Sequence, residues 1–340
     1  MIEQVANPVG LTNPVGIIGV GHLATYLVEG LRRAGSPQAP HTSGGSVTAC
    51  PRDITDSPQA PHVSGGSVTA CPRDIARASP DIVAGSGLHS DAPIHIVLSP
   101  RNAERAASLA ARFGAVVAAS NQAVAGAADL VILSTRPGDA VAAIASVTFR
   151  PEQTVVSVAA SLPLGVLQRR VAPATAVRAM PISCAAINRS PTLLYPDHPQ
   201  ARALFHLLGH VHALPDEPSF ISASAISAFY GWVVALLDET VAWTTGAGVP
   251  PQTARSLVLE TVRGAAEVAL ARPDQDLAAI LGTLATPGGI TGHGLHVLHQ
   301  RQGLTAWTQA LQAVLDRLHS NMVEWNPRAA CSGLETRVCG

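Results

Sequence analysis

From Val15 onward, short unbroken apolar runs alternate with longer stretches in which apolar residues recur every three or four positions. Runs of the first kind read as buried strands and the 3.6-residue period reads as amphipathic helix. Val15 to Ile18, Ile94 to Leu98, Ala115 to Ala118, Leu130 to Leu133, Thr154 to Ala159 and Ala176 to Met180 fit the first pattern. The Ala- and Leu-rich run ending at Gly35, Asn102 to Phe113, Ser120 to Gly126 and Pro137 to Ala145 fit the second. The last of these opens on a proline, which is favoured at the first helical position. Strands separated by helices of this size predict an α/β fold with a Rossmann-like, doubly wound, mostly parallel sheet.

Beyond Asp216 the strand pattern stops. Ser219 to Thr245, Pro251 to Ala271, Asp274 to Thr283 and Gly289 to Leu318 carry apolar residues at helical spacing, divided by glycine- and proline-rich breaks. The expected organisation is an N-terminal extension (1–14), a nucleotide-binding domain (15–214), an all-α domain (215–325) and an aperiodic tail (326–340). One feature interrupts this scheme. Residues 36–56 are followed at once by a near-copy at 57–77, differing only at Thr42/Val63, Thr55/Ala76 and Asp56/Arg77. Two copies lack the stacked neighbours that stabilise repeat folds, so a segment duplication is the simpler account. Its Pro, Gly and Ser content predicts a mobile surface loop running to residue 93. Closure entropy grows only logarithmically with loop length, so the fold tolerates it.

Composition narrows the function. Charged residues are 13% of the chain, against about 25% in ordinary globular proteins, which predicts that much surface is committed to packing in an oligomer. A net charge of −1 without Lys/Arg clusters excludes nucleic acid as a partner. The best apolar run, Ile226 to Leu237, falls short of the roughly 18 residues of a membrane span. The first residues lack a signal peptide's basic and apolar regions. The expectation is a cytoplasmic protein without a membrane partner. None of the five cysteines sits in a metal-ligand spacing, and no metal is expected.

The chemistry is carried by two glycine turns. Gly19-Val20-Gly21-His22-Leu23-Ala24 forms G-x-G-x-x-A between the first strand and the first helix. Gly19 permits the tight turn, Gly21 lets a pyrophosphate approach the backbone, and Ala24 lets the helix pack on the strand. The second strand ends in Ser99-Pro100-Arg101-Asn102, with no acidic residue to select NAD. Ser99 and Arg101 suit the 2′-phosphate of NADPH, with NADH as the alternative and the start of a helix as the other reading of Arg101. Thr135, Arg136, Pro137 and Ala159 follow strands whose carboxyl ends form the cofactor crevice. The second turn, Thr286-Pro287-Gly288-Gly289-Ile290-Thr291, opens a helix. Its backbone N–H groups favour an anion, and Gly288 and Gly289 let a carboxylate close without a Cβ in the way. The alternative is a structural turn in which Thr is the helix N-cap.

With the N-terminal glycine turn, Arg178-Ala179-Met180-Pro181, Tyr230 and the T-P-G-G-I-T segment in this order, residues 15–318 outside the insertion resemble Δ1-pyrroline-5-carboxylate reductases. The resemblance implies a Rossmann domain, a helical dimerisation domain, and NAD(P)H-dependent reduction of a cyclic imine to proline. It implies a homodimer or an assembly of dimers, with an active site shared by two subunits. It places the Thr291 hydroxyl on the imine nitrogen with Tyr230 beside it, and the substrate carboxylate on Thr286, Gly288, Gly289 and Ile290. The cofactor falls to Gly19, Gly21, His22, Leu23, Ala24, Ser99, Arg101, Thr135, Arg136, Pro137, Ala159, Met180 and Pro181. The chain departs from the family pattern at Ile182 (usually Asn), Ile290 (usually Thr), Arg136 (usually Lys) and His22 (usually Asn). The apolar departures keep two alternatives open, a different small imine and a non-catalytic NADP-binding homologue. His293, His296 and His299 read as packed or interfacial, and Glu239 and Glu260 as helix-surface charges.

Overall fold

The computed structural model describes residues 14–35 and 94–323; the tandem repeat, the first thirteen residues and the tail lie outside the described residues. The α/β half runs β1 (Val15–Ile18), α1 (His22–Ala34), β2 (Ile96–Leu98), α2 (Ala103–Phe113), β3 (Val116–Val117), α3 (Asn121–Ala127), β4 (Leu130–Leu133) and α4 (Pro137–Ile144). It continues through β5 (Thr154–Ser157), α5 (Leu164–Val171), β6 (Thr175–Met180), β7 (Thr192–Tyr195), α6 (Pro199–His206) and β8 (Val211–Ala213). The strands form one sheet in the order β3-β2-β1-β4-β5-β6-β7-β8. Every neighbouring pair is parallel except β6 with β7. The order reverses between β1 and β4, so the crevice where a doubly wound sheet takes its ligand lies above that pair.

The period-2 alternation of the strands divides the interior into two cores. Val15, Ile17, Leu130 and Ile132 point to one face and pack with Leu27, Leu31, Leu109, Leu204 and Phe205. Ile18, Val131 and Leu133 point to the other and pack with Val124, Ile144, Leu167 and Val171. Buried on both faces, β1 and β4 have no position free for a polar residue.

The helical half comprises α7 (Glu217–Ser224), α8 (Ile226–Gly246), α9 (Pro251–Leu270), α10 (Leu277–Leu284), α11 (Ile290–Gln300) and α12 (Gly303–Val323). Several expected boundaries are corrected here. The helix expected over Ser219 to Thr245 is two, interrupted at Ala225. The one expected over Gly289 to Leu318 is also two, because Gln302 adopts φ +55 and Gly303 starts the next helix. The helix expected from Asp274 starts at Leu277, since Arg272 to Gln275 form a turn with Pro273 at its second position. β7, β8, α5 and α6 had no counterpart among the expected elements. β7 is a short strand between Pro191 and Pro196, and β8 is three half-exposed residues at the sheet edge.

Among the described residues, apart from Val116, Val117 and Ile187, every large hydrophobic residue that is exposed lies beyond residue 225. Glu217–Gly246 is long and apolar enough, by length and composition, to cross a membrane. Counting uninterrupted apolar residues had not anticipated this, because Ser, Gly and Asp punctuate the stretch without much lowering its average.

Candidate active site

The first glycine turn is held from two sides. Gly19 sits at φ +92, and a Cβ there would meet Thr135 Cγ2 at 2.5 Å and the Ser134 carbonyl oxygen at 2.7 Å. Its N–H donates to Ser99 Oγ at 2.9 Å, so Ser99, buried at the end of β2, braces the turn. Asn102 ties the same region to α2. Its Oδ1 accepts from Arg105 N–H at 3.3 Å, capping the helix, while its Nδ2 donates to the Val20 carbonyl at 3.3 Å.

Gly21 is different. A Cβ there would meet only the Ser134 oxygen, at 3.8 Å, an ordinary contact. Nothing in the protein itself demands glycine at this position, whereas an approaching phosphate would. Gly21 is the N-cap of α1 and offers no side-chain acceptor, so the first N–H groups of α1 point toward the crevice uncapped. Close by, the Thr135 hydroxyl is buried without a partner. An open glycine, an uncapped helix start and an orphan hydroxyl fit a dinucleotide phosphate.

Around this seat the expected residues take distinct places. His22 is exposed at the first position of α1, its Nε2 3.4 Å from Arg105 Nη2. Leu23 is half-buried against the core, and Ala24 is fully buried beneath the helix. Arg101 is exposed and 3.8 Å from Asp139 on the first turn of α4, bridging the crevice mouth. Arg136 is exposed as the N-cap of α4, with Pro137 as its first residue. Ala159, Met180 and Pro181 are buried at strand ends. Sequence reasoning passed over Asn102 and Arg105 as site residues. The signal for Asn102 was its position just before the periodic run of α2, which marks an N-cap.

The second turn lies far along the chain. Gly289 N–H donates to the Thr286 carbonyl at 2.9 Å, Gly288 adopts φ +72, and a Cβ on Gly289 would strike Thr286 Oγ1 at 2.6 Å. The N-cap of α11 is Gly289 itself, without a side-chain cap, which corrects the reading of Thr as the cap. The start of α11 is therefore free for an anion. Thr291 is exposed on the first turn of α11, and Ile290 beside it is 92% exposed. Tyr230, 38% exposed, lies on α8. The crevice residues are thus assembled within one chain, whereas Tyr230 and the Thr286 to Thr291 turn stand on exposed faces of the helical half. Among the described residues no group of His, Cys, Asp and Glu could hold a metal.

Comparison with known proteins fits both halves. Residues 216–320 match the family described as pyrroline-5-carboxylate reductase dimerisation, and residues 74–161 match NADP oxidoreductase coenzyme F420-dependent. The pyrroline-5-carboxylate reductase of Thermus thermophilus is 31% identical over 239 residues, covering 67% of this chain and 88% of the relative. That of Pseudomonas aeruginosa is 29% identical over 235 residues, covering 64% and 84%. In fold, the chain is similar to 1-pyrroline-5-carboxylate reductase from Streptococcus pyogenes (TM-score 0.66, 21% identity, 91% of this chain and 98% of that one). It is also similar to Plasmodium falciparum pyrroline carboxylate reductase with NADP bound (TM-score 0.67, 15% identity, 91% and 98%).

Proposed function

Because the chain belongs to the pyrroline-5-carboxylate reductase family, we propose that it reduces 1-pyrroline-5-carboxylate to proline with NADPH. It works in the cytoplasm as a homodimer or an assembly of dimers. In this reading residues 15–214 form the cofactor domain and residues 215–325 the dimerisation and substrate domain. The observation that carries it is the presence in one chain of two uncapped helix N-termini, each reached through a glycine turn, α1 for a pyrophosphate and α11 for a carboxylate.

The N–H groups at the start of α1 hold the pyrophosphate, and Ser99 keeps Gly19 in the conformation that exposes them. Arg101 meets the 2′-phosphate once it exchanges its weak, solvent-exposed pairing with Asp139. On the substrate side the start of α11 holds the carboxylate, and the Thr291 hydroxyl bonds the ring nitrogen, with Tyr230 from the neighbouring helices closing the site. The cofactor, when bound, supplies the hydride. The protein's part is to hold the imine with its nitrogen already protonated, so that one hydride delivered to the ring carbon converts C=NH+ to CH–NH. NADH serves as a weaker donor.

Following NADPH absorbance with 1-pyrroline-5-carboxylate tests this directly. Turnover is expected, with kcat lowered about tenfold to a hundredfold by Thr291→Ala, the range for a hydrogen bond to a charged group. Turnover that Thr291→Ala leaves intact removes the assigned role. A second reading, a bulkier or more apolar cyclic imine, is favoured by Ile290, whose side chain stands bare beside Thr291. Preference for such imines over pyrroline-5-carboxylate in the same assay would establish it. Cofactor binding without turnover of any imine would leave a non-catalytic homologue.

A further inference from the structure

Arg178 is a guanidinium with no exposed side-chain surface, on a strand whose other buried residues are Ala176, Val177, Ala179 and Met180. A buried ion pair seldom repays its desolvation as stability. Its placement calls for another reason. Nη1 donates to Glu217 Oε1 at 2.6 Å, Nη2 donates to the Ala160 carbonyl at 2.7 Å, and the guanidinium lies 4.6 Å from the centroid of the Phe220 ring. Nε is buried without a partner. The same Glu217 oxygen accepts the N–H of Leu164, the first residue of α5, at 2.7 Å.

These contacts converge on one loop. Residues 158–163 leave the carboxyl end of β5 and lead into α5. Arg178 grips the loop at Ala160 and Glu217 grips its far end at Leu164, so one ion pair holds both. Glu217 is also the first residue of α7, where the helical half begins. Burial alone works against the guanidinium's charge, and Glu217 is what sustains it. In a doubly wound sheet the β4 to β6 side of the crevice takes the part of a dinucleotide beyond the pyrophosphate.

We propose that Arg178 and Glu217 are a positioning pair for the nicotinamide end of NADPH, fixing loop 158–163 to the first turn of α7. The proposal rests on the NADPH-dependent reading above. The pair sets the cofactor's reactive end and the helical half in one frame, while the adenosine end is held independently by the glycine turn and the tip of β2.

Two ligands separate these ends: NADPH, and 2′-phospho-ADP-ribose, which lacks only the nicotinamide. Calorimetric Kd values are measured for wild type, Glu217→Gln and Glu217→Asp, well below each variant's Tm, together with amide hydrogen exchange at residues 158–164. The Asp variant keeps the charge with a shorter reach and serves if the Gln variant does not fold. The expected result is NADPH weakened about tenfold, as for one lost charge-assisted hydrogen bond, with the truncated ligand within about twofold of wild type and faster exchange in the loop. A purely structural pair would lower Tm and leave the ratio of the two Kd values unchanged, and that outcome overturns the proposal. If wild type binds NADPH but reduces no imine, the reductase reading fails while the Kd ratio still decides this one. An unchanged ratio in an enzyme that turns over pyrroline-5-carboxylate rejects the positioning role alone.

Discussion

Helices α1 and α8 are both rich in apolar residues, yet they live in different surroundings. On α1, Ala24, Leu27, Val28, Gly30 and Leu31 are buried, and Arg32 and Arg33 stand in its last turn. On α8, 21 residues long, none is buried, and Trp243 is 75% exposed. Of its aromatic residues, Phe229 and Trp232 pack on each other and on Trp307 of α12, with ring centroids 5.5 to 6.4 Å apart. One half of the molecule completes its core with its own chain. The other has more apolar surface than one chain can cover, which is the mark of an interface. Cofactor binding should therefore be a property of the single chain, and catalysis a property of the assembly.

The largest effect is expected from placing charge on the uncovered faces. Val234→Asp combined with Leu257→Asp, on α8 and α9, puts carboxylates on residues that are half exposed in one chain. Leaving unpaired charges in an interface costs about 3 to 5 kcal/mol each. Activity should fall by about a hundredfold or more and the mass by light scattering should drop to that of one chain, while the Kd for NADPH holds. A single chain that remains fully active would erase the distinction between the halves.

Gly19→Ala attacks the other side. A Cβ at φ +92, within 2.5 to 2.8 Å of Thr135 and the Ser134 backbone, costs about 1 to 3 kcal/mol in backbone strain, before any cost of the clash. NADPH binding should be lost and Tm lowered. All four tryptophans lie beyond residue 231, three of them on α8 and α12, so tryptophan emission reports the helical half separately and should change little while far-ultraviolet dichroism does. A coupled collapse would show that the two halves do not stand apart. Smaller again is Arg101→Ala. It should weaken NADPH by about tenfold, the worth of a partly solvated charge-assisted hydrogen bond, and leave NADH unchanged; equal losses would remove Arg101 from the phosphate site.

What was legible in the sequence follows the same division. β1 and β4 are found where the apolar runs place them because a strand buried on both faces has no polar positions to blur it. β8 is half exposed, and β7, interrupted by neither period nor composition, hides between two prolines. Gly19 was legible because its φ of +92 is a conformation that only a residue without a Cβ adopts freely. Arg178 was visible as part of a motif, but its partner lies 39 residues away, and local patterning does not report such a pairing. Tyr230 and Thr291 could be named, and the chain places them on exposed helices, but what meets them there belongs to surfaces a single sequence does not describe.

The smallest expected effect concerns acid, and it belongs to the α/β half. Burial pushes His206 below its ordinary value of 6.5, and the positive charge of Arg202 and the neighbouring His210 pushes it the same way. Burial also lowers His198, only partly offset by Asp197, and leaves its Nδ1 without a partner. Both rings therefore hold a proton less readily in the fold than in the unfolded chain. Stability from this source is complete above about pH 6.5 and declines as pH falls below it, because unfolding then binds protons. Melting followed by far-ultraviolet dichroism from pH 8 to pH 5 should show Tm falling by a few degrees (~2 to 4 °C for a chain of this size). His206→Gln should flatten that slope without changing Tm much at pH 8. A Tm that rises on acidification, or a slope that survives in the double variant His198→Gln/His206→Gln, would remove these two rings as the source of the acid response.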